Sequence, residues 1–189
     1  MNNFDSLVNS ILNNTCIEED KRDIGKILTK GALGLSLAFG MPATSTRSNA
    51  QTKNQLNISH FQQQNSADVE SLERFTDLIA ALKIIESNNN PNAIGDNGKA
   101  KGILQIHKSV IDDVNRIYKT TYVHDDAYNV TKAVDICKKY LLYWGNHYTK
   151  KENKKPTLEV LSRIWNGGPM GYKKNSTIKY WKKVKKYLQ

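Results

Sequence analysis

The chain is poor in the residues that staple small proteins or hold metal ions. It has two cysteines in 189 residues, Cys16 and Cys137, which excludes a disulfide framework and a thiolate cluster. Cys137 falls inside a regular apolar stripe and is expected to pack as a buried thiol. The four histidines, His60, His107, His124 and His147, show no zinc-type spacing. No metal site and no cofactor are expected. A long apolar run is also missing. The uncharged stretch 31–46, between Lys30 and Arg47, is shorter than the roughly 20 residues a spanning helix needs. Its length is that of a signal-peptide core, and Ala43 and Ser45 follow Pro42 in the manner of a processing site. Four acidic residues, Glu18, Glu19, Asp20 and Asp23, precede it and argue the other way. The segment fits export or membrane contact, or a buried or virion-packed helix.

Acidic residues are scarce in one half only. Residues 1–96 hold 8 Lys/Arg and 11 Asp/Glu, a net of −3, whereas residues 97–189 hold 20 and 7, a net of +13. A basic half suggests a polyanionic partner such as an anionic cell envelope. A nucleic acid is not expected, because no known binding motif is present and the basic residues do not interleave with an aromatic platform.

Three regions follow from composition. Residues 1–45 form an N-terminal extension, with Phe4, Leu7, Val8, Ile11 and Leu12 at the spacing of a short amphipathic helix. Residues 46–66 are rich in Ser, Thr, Asn and Gln and read as a flexible linker. Residues 67–189 read as the folded domain. Its signals are helical: Phe75, Ile79 and Leu82; Val110, Val114 and Ile117 behind a Ser109 cap; Val130, Val134, Cys137, Leu141, Trp144 and Tyr148; Leu158, Leu161 and Trp165 behind a Thr157 cap; and Ile178, Trp181, Val184 and Leu188. Asp112 and Asp113 are expected to serve the first turn of their helix, and Asp125 and Asp126 the approach to the next. Between the first two helices, Asn97-Gly98 offers a turn with room for a small hairpin. The expected fold class is therefore mainly α with a minor β element.

One carboxylate breaks the pattern. The step after Leu82 lands on Glu86, at the end of its helix. Burial and the negative end of the helix both disfavour a charged carboxylate there, and both raise its pKa. A carboxylic acid that stays protonated near neutral pH is what a general acid needs. A helix-end glutamate turned into solvent would give the same letters, so the surroundings have to decide. Asn88, Asn89, Asn90 and Pro91 stop the helix. Gly95, Gly98 and Gly102 let backbone approach a ligand closely. Gln105 interrupts "ILQI", where a core would take an aliphatic. In "RIWNGGPMGY", Trp165 and Asn166 end a helix before two glycines. A flat aromatic face beside an amide suits a sugar ring.

Together "IIESNNNPNAIGDNGKAKGILQI" and "RIWNGGPMGY" resemble the three motifs of the lytic transglycosylases and goose-type lysozymes: Glu-Ser at a helix end, Gly-x-x-Gln, and aromatic-Asn-x-Gly. The resemblance covers about residues 70–189. It implies a lysozyme-like fold acting on peptidoglycan glycan strands at the bacterial cell wall or periplasm, after export, carriage in a phage particle or release at lysis. Glu86 would protonate the oxygen between N-acetylmuramic acid and N-acetylglucosamine, and Ser87, Gln105 and Asn166 would hold the sugar. Trp165 stands where relatives commonly carry Tyr. It keeps a stacking face and lacks the hydroxyl that some of them direct at the glutamate. Lytic transglycosylases use one glutamate, first as acid and then as base, to close an anhydro ring. An inverting hydrolase needs a second carboxylate with space for water. Asp96 is the candidate; its other reading is an ordinary turn residue. A non-catalytic wall-binding or virion structural module is the alternative from another class.

Overall fold

The computed structural model describes residues 70–188, nearly all of the second of two compact units, Leu72–Gln189. The expected extension and linker, with the targeting-like segment 31–46, lie outside the described residues. Five α-helices and one small sheet make up the described unit: α1 (70–87), β1 (Ile94–Gly95), β2 (Ala100–Lys101), β3 (Ile106–His107), α2 (Lys108–Tyr118), α3 (Val130–Glu152), α4 (Leu158–Gly167) and α5 (Ile178–Val184). The mainly α expectation holds. The hairpin gains a third strand: β1 pairs antiparallel with β2 (Gly95 opposite Ala100), and β2 with β3 (Ala100 opposite His107).

Helix α3 is the centre of the core. It packs against α2 and α4, and α4 packs against α5. Its buried residues, among them Ala133, Ile136, Cys137, Tyr140 and Leu141, occupy more than the single stripe read from sequence, because neighbours flank two sides. Val130, at the start of that stripe, is exposed. The Asn129 side chain caps α3 by accepting the Lys132 N–H at 3.0 Å, and Thr157 caps α4 through the Val160 N–H at 3.3 Å. Such a cap is worth about 1 kcal/mol.

Helix α2 starts differently from expectation. His107 is its flanking residue and Ser109 lies inside the first turn. Asp112 and Asp113 are not caps; they pair along the helix with Lys108 (2.7 Å) and Arg116 (2.9 Å). Asp126 accepts the Val123 N–H at 2.9 Å, whereas Asp125 reaches Lys101 at 2.6 Å. Among the described residues no helix is long and apolar enough to cross a membrane.

Candidate active site

Helix α1 buries Phe75, Leu78, Ile79 and Leu82, and the same face delivers Glu86 to its C-terminal end. The asparagines then end the helix. Asn88 and Asn89 take left-handed backbone angles (φ 54° and 62°), which Asn tolerates better than most residues. The Asn89 N–H turns back to the Lys83 carbonyl at 3.1 Å, and the Asn88 N–H to Ile84 at 2.8 Å, so the last carbonyls are satisfied.

Glu86 is largely buried. Its carboxyl is pushed up from the ordinary 4.5 to about 7, chiefly by loss of hydration; nearby Asp96 adds a smaller push in the same direction. Two donors oppose that rise. The Tyr180 hydroxyl donates to Oε1 at 2.6 Å, and the Trp165 indole N–H also favours the charged form. Burial wins, and the group sits poised between acid and carboxylate near neutral pH.

Tyr180 is the site residue that sequence reasoning missed. The last helix is presented by a hub at Thr177. The Thr177 hydroxyl lies 2.8 Å from the carbonyls of Gly171 and Lys174 and accepts the Arg163 Nε–H at 3.0 Å. Gly171 has no room for a side chain, since a methyl there would overlap the Arg163 carbonyl. This knot fixes the start of α5 on α4 and places Tyr180 over Glu86. The Tyr180 hydroxyl is held far above its usual pKa by burial and by Glu86, so it remains a donor. The signal available in sequence was the spacing Tyr180–Val184, one turn apart.

The motif residues take distinct positions. Ser87 donates to the Ile103 carbonyl at 2.8 Å, which ties the end of α1 to the loop before β3 and leaves the hydroxyl only its lone pairs. Gln105 has a left-handed backbone (φ 49°) and donates Nε2–H to the Gly102 carbonyl at 2.9 Å. Its Oε1 lies against Gly95, where an added methyl would overlap it. Gly95 therefore lets Gln105 come this close. Gly102 is required twice over, by φ 73° and by the Ala127 carbonyl that a methyl would strike. Trp165 stands edge-on to Tyr140, with centroids 5.9 Å apart, and its indole also lowers the Glu86 pKa. Asn166, in the last turn of α4, is exposed.

Asp96 stands apart from this group. It is 68% exposed, has a left-handed backbone (φ 46°) and pairs with His107 Nε2 at 3.0 Å. Its charge is felt at Glu86, yet its hydrogen bond is to the sheet. Among the described residues, no group of three His, Cys, Asp or Glu is placed to hold a metal ion.

The candidate site is thus a largely buried glutamate at a helix end with the Tyr180 hydroxyl against it. Residues 63–188, two thirds of the chain, match the transglycosylase SLT domain, and the chain belongs to that family. Its members are lytic transglycosylases that act on peptidoglycan. A search of curated proteins returned no match.

Proposed function

We propose that this domain, from about residue 67 onward, cleaves the bond between N-acetylmuramic acid and N-acetylglucosamine as a lytic transglycosylase with Glu86 as its one catalytic carboxyl. The observation that carries the reading is a carboxyl withdrawn from water, with a pKa of about 7, that still faces two hydrogen-bond donors. About half of these carboxyls hold a proton at neutral pH, and the donors support the carboxylate left after that proton has gone.

In this mechanism Glu86 gives its proton to the glycosidic oxygen as the bond to C1 breaks. The bonding pair leaves with that oxygen, which departs as a hydroxyl. The Glu86 carboxylate then takes the proton from the muramic 6-hydroxyl as its oxygen bonds to C1. The acid is restored and an anhydro end is formed. Gln105, Asn166 and the lone pairs of Ser87 orient the sugars, and Trp165 adds an apolar face. The exposure of Asp96 and its pairing with His107 favour this single-carboxyl route over hydrolysis, which needs a carboxylate free to hold water.

The lysine-rich end contributes attraction to the anionic envelope. Lys182, Lys183, Lys185 and Lys186 are all exposed. A zymogram with purified wall, run with wild type and Glu86→Gln, tests the assignment. Mass spectrometry of the products separates anhydro ends from reducing ends.

A further inference from the structure

The domain carries a cavity that the cleavage chemistry leaves unused. Its volume is about 430 Å³, a size suited to a small ligand. Arg74 and Asp77 of α1, Leu158 of α4, and Trp181, Lys185 and Leu188 of the C-terminal segment line it. Asp77 precedes Glu86 by two and a half helical turns, so it leaves α1 on the opposite side, about 13 Å along the axis. Neither Glu86 nor Tyr180 lines the cavity. Along α5 the two are neighbours in sequence: Tyr180 faces the glutamate and Trp181 faces the cavity.

The charges around the cavity are uncommitted. Arg74, Asp77 and Lys185 are exposed and make no ion pair with any described residue. Elsewhere acids find lysines, as in Asp112–Lys108 and Asp126–Lys132, both at 2.7 Å. Glu159 also lines the cavity, but it is already held by Arg163 at 3.0 Å. Two free cations and one free carboxylate thus flank an indole and two leucines. A polyanion would meet Asp77 as a repulsion, and a neutral sugar would leave all three charges unanswered. A short peptide with small apolar side chains, free carboxylates and a free amine answers every one of them. The stem peptides of peptidoglycan have that chemistry.

We infer that this groove docks a peptidoglycan stem peptide from a strand neighbouring the one cut at Glu86. The inference rests on the peptidoglycan reading above. A docked peptide holds the enzyme on the wall mesh and raises the local concentration of strands without touching the chemistry.

The test uses the full chain, its Arg74→Gln/Lys185→Gln and Asp77→Asn variants, and two substrates: intact wall, and the same glycan stripped of peptide by an amidase. Because all three positions are exposed, the variants keep the fold. Each lost charge pair is worth about 1 kcal/mol, so apparent KM on intact wall should rise about fivefold in Asp77→Asn and up to about thirtyfold in the double variant. The kcat, and the rate on stripped glycan, should stay at wild-type values. A synthetic stem tetrapeptide with free amine and free carboxylate should bind wild type, bind Asp77→Asn about fivefold more weakly and bind the double variant up to about thirtyfold more weakly. Variants that match wild type on both substrates overturn the inference. So does tighter wall binding by Asp77→Asn, which would mark a polyanion site. A wild type that cuts neither substrate would instead refute the catalytic reading, and the tetrapeptide titration would then decide the groove by itself.

Discussion

Replacing Glu86 with Gln should make the protein more stable, and only above acid pH. The native carboxyl titrates near 7 against an ordinary 4.5, a gap of 2.5 units. At 1.36 kcal/mol per unit, the folded state disfavours the ionised form by about 3 kcal/mol. The sign follows from proton binding. Between pH 4.5 and 7 the folded chain holds a proton that the unfolded chain has lost. Stability from this group is therefore complete below the unfolded pKa and declines as pH rises through the folded one. Gln is neutral and similar in shape to the protonated acid, so it escapes the decline. Urea denaturation of both proteins at pH 4 and pH 8 measures the effect. All other titrating groups are shared and cancel in the comparison. Near-equal stability at pH 4, with the variant ahead by about 3 kcal/mol at pH 8, is the expected pattern. A difference that does not change with pH, or a variant weaker at pH 8, would mean that Glu86 is not held in a dehydrated position.

Three further outcomes are expected. Tyr180→Phe removes a donor that favours the carboxylate. The alkaline limb of the pH–rate profile should move up by about one unit and kcat should fall about tenfold, a loss in line with one hydrogen bond to a charged group; an unmoved limb would separate Tyr180 from the chemistry. Gly95→Ala should leave the melting temperature within a few degrees, because the flexible end of Gln105 can swing away, while activity drops severalfold as Gln105 leaves its place; full activity would free Gln105 from a substrate role. Turnover of whole walls should fall between low and high salt if the exposed lysines steer the enzyme to an anionic envelope; a flat response would remove that role.

The local half of the site was legible in the sequence. Phe75, Ile79 and Leu82 set a stripe whose next step could only be Glu86, and the asparagines announced the helix end. Gln105 stood out as a polar residue in an apolar run, and the structure turns it back against Gly95 rather than into the core. Tyr180 was hidden for a physical reason. It is 94 residues from its partner, and the reading of α5 followed Ile178 and Trp181. Ile178 proves exposed, and Trp181 lines the second cavity. Val184, the buried member of that stripe, shares its face with Tyr180 one turn before it. Nor does sequence show the influence of the Trp165 indole on Glu86, because it depends on how the ring lies against Tyr140 in three dimensions. Strand β3 is two residues long, too short for any alternation to register.

The central claim is that one dehydrated carboxyl, Glu86, both breaks the glycosidic bond and closes the ring. Mass spectrometry of purified wall digested by wild type, by Glu86→Gln and by Asp96→Asn addresses it most directly. Anhydro-ended muropeptides from wild type and from Asp96→Asn, with none from Glu86→Gln, are predicted. Reducing ends that disappear with Asp96→Asn, or equal digestion by Glu86→Gln, would contradict the account.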